Sequence, residues 1–417
     1  MPEIRMQGGN PLIGELTVQG AKNSVLPLLA ATVLAKGESV LHHCPDLTDV
    51  AVSLRILEHL GAAVHREGST VMVRAAGICC GEIPECLMRE MRSSVIFLGA
   101  ILARCGEAEM SFPGGCELGP RPIDLHLKAL RALGADIREE GGVLHCRAKG
   151  LKGCEVPLGF PSVGATENIM LAATAAEGDT LIFGAAREPE IVDLQDFLNE
   201  MGARVRGAGT SVISIAGNRP LNGCEHTVMA DRMAAATWMC AAAGAGGDLM
   251  LRGIDYRQLS PVSAVLAEAG CRVESGEDGV RLKSSRPLSG ARMVRTAPYP
   301  GFPTDAQAPV MAALAKGNGA TVFVENMFEA RYRHVDELIR MGADIRVDGR
   351  VAVTAGVPRL FGTSLCCTDL RGGAALLVAA LGAEGESTLT GLHHLDRGYE
   401  HPERVLRTLG AQIERIP

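Results

Sequence analysis

A three-residue signature recurs six times along the chain and leaves few folds open to it. It reads Leu60-Gly61-Ala62, Leu133-Gly134-Ala135, Met201-Gly202-Ala203, Ala269-Gly270-Cys271, Met341-Gly342-Ala343 and Leu409-Gly410-Ala411, at intervals of 73, 68, 68, 72 and 68 residues. A near-constant period marks repeated supersecondary units, none of which can bury its apolar face alone. Each signature follows an amphipathic stretch, as in residues 50–60, 123–133, 191–201 and 334–341, where apolar side chains fall three and four apart. The glycine just past the last apolar residue is where a helix C-cap belongs. A strand and often a tight turn come next. In residues 135–146 apolar and polar side chains alternate around Gly141-Gly142, the pattern of a half-buried hairpin.

Earlier in each unit lies a more continuously apolar stretch, at residues 23–34, 93–103, 165–176, 232–243, 306–315 and 372–381. Helices of that kind are expected to be buried on most sides. The unit is therefore buried helix, strand, loop, amphipathic helix, hairpin. Six units can close one ring or form two groups of three, and 417 residues favour two groups with a boundary near residue 230. Residues 1–21 are strand-like and have no unit of their own, while the last unit stops after one hairpin strand. The expected fold class is α/β: one domain over residues 22–229, a second over 1–21 plus 230–417, each with helices enclosed by sheets.

The formal net charge is −7, and no Lys/Arg-rich run or basic–aromatic interleaving occurs, which argues against a nucleic-acid partner. No apolar run reaches 18 residues, and the start Met-Pro-Glu-Ile-Arg-Met lacks the apolar stretch of a secretory signal. The 13 cysteines include no CxxC pair, so zinc-site spacing is missing and a reducing cytoplasm is expected. No dinucleotide fingerprint or metal-ligand cluster stands out. No cofactor, metal or membrane partner is expected.

The starts of the buried helices carry polar residues: Lys22-Asn23-Ser24, Arg92-Ser93-Ser94, Ser162 to Asn168, Asp231-Arg232, Thr304-Asp305 and Asp369-Leu370-Arg371. A helix N-terminus already offers free N–H groups and a positive dipole end, so added Lys or Arg there points to a bound anion. Asp231, Thr304 and Asp369 also read as plain N-caps, and any one Arg as the partner of a nearby carboxylate. Residues 111–122 differ in kind: three Gly and three Pro make a turn-rich surface loop carrying Cys116 and Arg121. The other cysteines read mostly as small core hydrophobes, whereas a nearby guanidinium can lower the pKa of Cys116.

Many of these segments, from Met6-Gln7-Gly8-Gly9 to Leu409-Gly410-Ala411, together resemble the UDP-N-acetylglucosamine 1-carboxyvinyltransferase family. The most telling are Gly20-Ala21-Lys22-Asn23, Met91-Arg92-Ser93-Ser94, Pro113-Gly114-Gly115-Cys116, Arg121-Pro122-Ile123-Asp124-Leu125-His126, Ser162-Val163-Gly164-Ala165-Thr166, Pro303-Thr304-Asp305, Phe328-Glu329-Ala330-Arg331, Thr368-Asp369-Leu370-Arg371 and Asp396-Arg397-Gly398-Tyr399-Glu400. The resemblance implies two inside-out α/β barrel domains of three units each, with the active site in the cleft between them. It implies transfer of the enolpyruvyl group of phosphoenolpyruvate to the 3-hydroxyl of UDP-N-acetylglucosamine, through a tetrahedral ketal, at the first committed step of peptidoglycan precursor synthesis. It places Lys22 and Asn23 on phosphoenolpyruvate, with Arg121 and Arg397 clamping its phosphate and carboxylate. It places Arg92, Arg121, Pro122, Ile123, Asp124, Leu125, Ser162, Val163, Gly164, Asp305, Met327, Arg331, Asp369 and Arg371 on the substrates, chiefly the UDP-sugar, Met327 through its backbone. Asp305 is the implied base and Cys116 the loop thiol that protonates or captures the enolpyruvyl skeleton and is alkylated by fosfomycin.

The chain departs from relatives at Met233-Ala234-Ala235-Ala236-Thr237, which follows Asp231-Arg232, and at Phe160. Two other readings share the fold: a transferase acting on shikimate 3-phosphate, against which the Cys116 loop argues, and a non-catalytic regulatory paralogue, against which Lys22, Cys116, Asp305 and Arg397 together argue.

Overall fold

A computed structural model describes residues 2–112, 123–276, 278–284 and 287–417, with Arg92 described through its backbone alone. The chain forms two compact units, divided between Gln19 and Gly20 and again between Met229 and Ala230. Cys116, Arg121 and Pro122 lie outside the described residues.

All six repeats are present, and the signature glycines explain their spacing. Gly61, Gly134, Gly202, Gly270, Gly342 and Gly410 have φ between 95° and 108°. That region costs any residue with a Cβ, so glycine ends the helix and turns the chain into the next strand. The six four-stranded sheets share one strand order. In Glu82–Ile83, Glu107–Ser111, Val143–Arg147 and Asp136–Glu140, for example, a short edge strand runs parallel to a central strand, which pairs antiparallel with a hairpin.

The N-terminal segment fills two vacancies in this scheme. Glu3–Gln7 pairs between Glu386–Thr390 and Gln412–Ile416, and so supplies the hairpin strand that the sixth unit lacks. Leu12–Thr17 runs parallel to Gly247–Arg252 as the edge of the fourth unit's sheet.

Inside the second unit the helices Arg232–Ala245, Thr304–Ala315 and Leu370–Gly382 pack on one another. Their Ala/Gly richness allows close approach: a Cβ on Gly382 would meet the Gly244 carbonyl oxygen at 2.9 Å. The corresponding helices of the first unit are Lys22–Thr32, Phe97–Cys105 and Val163–Ala173. A Cβ on Gly99 would meet the Asn168 carbonyl oxygen at 2.3 Å. Sheets therefore wrap a helical core in each unit, and the polar helix starts stand at the ends of that core. Among the described residues no helix is long and apolar enough to cross a membrane.

Candidate active site

In the first unit, Lys22 opens its helix and is only 10% exposed at the side chain, a burial an ammonium tolerates when paired. Its partner is the buried carboxylate of Asp49, at 2.8 Å. Asn23 is half-buried beside it. Ser24 donates from its hydroxyl to the Asp193 carboxylate. Asp193 also accepts from the Met229 amide at 3.4 Å and meets His226 Nε2 at 3.1 Å, while His226 Nδ1 meets Glu200 at 2.7 Å. Burial alone would lower the pKa of His226, but the bonds to Asp193 and Glu200 outweigh it and hold the imidazole above its usual value. The helix start that carries Lys22 and Asn23 is thus tied down from two sides.

The segments 123–125 and 162–164 come together through His126, to which the resemblance assigns no role. His126 Nδ1 lies 2.8 Å from Asn168 Nδ2, and its ring packs so tightly on Gly164 that a Cβ there would meet Cε1 at 2.9 Å. Burial pushes the His126 imidazole down to about 4, with Asp124 acting weakly against it, so the ring is neutral at pH 7 and can accept from Asn168. Asn168 in turn accepts from the Gly99 amide at 2.7 Å and donates to the Val95 carbonyl at 3.1 Å. Ile123 is buried, Leu125, Ser162, Val163 and Gly164 are half-buried, and Asp124 is exposed. Ser162 caps its helix by accepting from Ala165 N at 3.4 Å.

In the second unit Asp305, Arg331 and Arg371 form one cluster. Arg331 Nη2 donates to one oxygen of Asp305 at 2.6 Å; Arg371 donates to the other from Nε at 3.0 Å and Nη2 at 2.8 Å. The two guanidiniums are nearly inaccessible at 2% and 4%, whereas the carboxylate keeps 27% of its surface. Burial would raise the Asp305 pKa, but Arg371 and then Arg331 outweigh it and hold the carboxyl well below the usual range. The arginines face the carboxylate rather than open solvent.

Capping geometry is present at two of the three residues that read as N-caps. Asp231 accepts from Met233 N and Ala234 N, and Asp369 accepts from Arg371 N and Gly372 N, both at 3.0 Å. Thr304 does not cap its helix; its hydroxyl donates to Glu325 at 3.0 Å. Glu325 is wholly buried and also accepts from the amides of Met327 at 2.7 Å and Phe328 at 3.1 Å. The Met327 amide is therefore taken up within the protein, which leaves its carbonyl oxygen as the backbone group free for the contact that the resemblance implies.

Arg397 is half-buried in the loop 396–400, whose neighbouring residues are held individually. Asp396 pairs with Arg415 at 2.5 Å, and Tyr399 Oη meets Arg371 Nη1 and Thr237 Oγ1, both at 2.9 Å. Arg371 thus touches both Asp305 and the loop that presents Arg397. Among the described residues no His/Cys/Asp/Glu group has the geometry of a metal site.

A model of the EPSP synthase (3-phosphoshikimate 1-carboxyvinyltransferase) family matches residues 6–406. The UDP-N-acetylglucosamine 1-carboxyvinyltransferase 2 of Caldanaerobacter subterraneus subsp. tengcongensis is 48% identical over 416 residues, 100% of each chain. The UDP-N-acetylglucosamine 1-carboxyvinyltransferase 1 of Symbiobacterium thermophilum is 49% identical over 415 residues, 98% of this chain and 94% of that one. Among solved structures, the enolpyruvyl transferase NikO from Streptomyces tendae superposes with a TM-score of 0.89 at 28% identity, covering 100% of this chain and 99% of its own. An EPSP synthase from Acinetobacter baumannii, at 21% identity and a TM-score of 0.77 over 100% of both chains, shares the fold. Matched at nearly half its positions over nearly all of its length, the chain belongs to the UDP-N-acetylglucosamine 1-carboxyvinyltransferase family.

Proposed function

We propose that this enzyme transfers the enolpyruvyl group of phosphoenolpyruvate to the 3-hydroxyl of UDP-N-acetylglucosamine and releases phosphate, the step that commits the sugar to peptidoglycan precursors. The observation that carries the reading is identity of 48–49% over at least 98% of the chain to proteins bearing that name.

The chemistry needs a cationic cradle for phosphoenolpyruvate, a proton acceptor at the sugar hydroxyl and a proton donor at C3. Lys22, Asn23, Arg121 and Arg397 form the cradle in this reading. Arg92, residues 121–125, residues 162–164, Asp305, Met327 and Asp369 hold the UDP-sugar, with Arg331 and Arg371 acting on it through Asp305. The sugar oxygen attacks C2 as its proton passes to Asp305 and C3 gains a proton from Cys116. The ketal then loses a C3 proton, its C2–O(phosphate) bond breaks, and phosphate leaves into the basic cluster. A carboxylate held ionised by two guanidiniums is a weak base at rest. Asp305 therefore takes the proton in concert with C–O bond formation, when the hydroxyl has become acidic. Arg331 and Arg371 mainly aim the carboxylate, consistent with their burial against it.

The test is phosphate release from phosphoenolpyruvate with either acceptor supplied. Release with UDP-N-acetylglucosamine and not with shikimate 3-phosphate is expected; the reverse pattern overturns the assignment of the acceptor.

A further inference from the structure

The loop 396–400 carries a non-glycine residue in the left-handed region immediately after it, His401 at φ 42°. Such a backbone persists when the surrounding contacts fix it. One residue from the far end of the sequence makes contacts of this kind. The side-chain amide of Gln19 donates from Nε2 to the Gly398 carbonyl at 3.2 Å and accepts at Oε1 from the Glu400 amide at 2.9 Å. A carbonyl on one residue and an N–H two positions later is the pair that a neighbouring β-strand residue would bond. A primary amide, with donor and acceptor side by side, can imitate that residue.

Gln19 is itself fixed through its backbone. Its carbonyl accepts from Asp231 N at 2.8 Å, and the preceding residue, Val18, donates to the Arg252 carbonyl at 3.1 Å. Asp231 is the N-cap of the helix Arg232–Ala245, so Gln19 joins that helix start to the loop. The loop has no slack at Gly398, where a Cβ would meet the Leu370 side chain at 2.8 Å. Asp396 and Tyr399 are anchored separately, to Arg415 and to Arg371 with Thr237. Immediately after Arg397, the Gly398 and Tyr399 amides turn back to the Leu395 carbonyl, both at 3.0 Å, and Gln19 holds the Gly398 carbonyl and the Glu400 amide from outside the loop.

We propose that Gln19 is a positioning residue for Arg397, setting where its guanidinium is presented to the anionic donor substrate. This rests on the reading of Arg397 as a phosphoenolpyruvate ligand. Gln19 touches no reacting atom; it acts by holding the loop. Two neutral hydrogen bonds of ordinary net strength, spent on placing one guanidinium, correspond to a change of about tenfold in affinity for that anion.

The experiment compares Gln19→Met, which keeps the side-chain length and removes both hydrogen bonds, with Gln19→Glu, which keeps only the acceptor. Arg397→Ala and the double variant Gln19→Met/Arg397→Ala complete the cycle. Gln19→Met is expected to raise KM for phosphoenolpyruvate about tenfold while leaving the UDP-sugar Kd and the Tm nearly unchanged. Gln19→Glu should fall between it and the parent, and Gln19→Met should add nothing further on the Arg397→Ala background. A normal phosphoenolpyruvate KM in Gln19→Met, with a raised one in Arg397→Ala, overturns the positioning role alone. Equal weakening of both substrates, or a fall in Tm that Gln19→Glu does not restore, also overturns it by making Gln19 a general structural residue. A normal KM in Arg397→Ala instead overturns the reading of Arg397 beneath the proposal.

Discussion

Arg371 takes one oxygen of Asp305 with two donors, at 3.0 and 2.8 Å, and so fixes the direction in which the other oxygen points. Arg331 meets that other oxygen at 2.6 Å. Because the arginines are buried while the carboxylate keeps part of its surface, the cluster reads as a carboxylate aimed by two cations.

Asp305→Asn should lower kcat by about 100-fold or more, the usual range for a lost general base, while UDP-sugar binding persists. The pH dependence has a definite sign. The folded-state pKa of Asp305 lies below its unfolded value of about 3.9. Its stabilising contribution is therefore complete above that pH and is lost only as pH falls through the depressed value. A kcat/KM profile from pH 5 to 9 should show no acid limb due to Asp305; an acid limb in that range that vanishes in Asp305→Asn contradicts the account.

His226 should contribute stability with the opposite sign. Its pKa is raised by Asp193 and Glu200 against the effect of burial. The gain is fully present below the unfolded value of about 6.5 and fades as pH rises through the folded one. The Tm difference between the parent and His226→Gln should be larger at pH 6 than at pH 9. A difference that grows with pH would show that the imidazole is not held protonated by the two carboxylates.

Gly164→Ala should strike the UDP-sugar segments selectively. The new Cβ would press on His126 Cε1 at 2.9 Å and disturb the contact between segments 123–125 and 162–164. Overpacking of this kind costs about 1–3 kcal/mol. If it falls on binding, the UDP-sugar Kd rises about tenfold, which calorimetry can read against an unchanged KM for phosphoenolpyruvate. An unaltered Kd would mean that Gly164 is not part of the sugar site.

The described cysteines divide by environment: Cys79, Cys86 and Cys366 are exposed, and the others are partly or wholly buried. Burial pushes the thiols of Cys146 and Cys224 up to about 11 and that of Cys44 to about 12, and it also raises Cys105, Cys154, Cys240, Cys271 and Cys367. Thiols of that kind alkylate slowly. Fosfomycin should label Cys116 first, and faster with UDP-sugar present; Cys116→Asp should keep some turnover and resist the drug. Peptide mapping that finds the label spread over several cysteines removes Cys116 from the mechanism.

The repeat was legible because each unit needs the same glycine after its amphipathic helix, and a period of about 70 residues survives changes elsewhere. The N-terminal strands were legible as well, since a sixth unit with half a hairpin requires a strand from somewhere. What the sequence did not disclose are partners that carry no motif. Asp49 under Lys22, Asn168 behind His126 and Gln19 on the Arg397 loop are far from their partners in sequence, and only folding brings them together. Arg371, at the start of its helix, pairs with the chain's own Asp305, the carboxylate alternative that the sequence left open beside a bound anion.

The most direct test of enolpyruvyl transfer by addition and elimination is to run the reaction with phosphoenolpyruvate and UDP-N-acetylglucosamine in D2O and to analyse the sugar nucleotide by mass spectrometry and NMR. The account predicts an enolpyruvyl ether at the sugar 3-oxygen, formed one-for-one with phosphate, with deuterium at C3 because that carbon passes through a methyl group. Phosphate release without the ether, or an ether that carries no deuterium at C3, would contradict it.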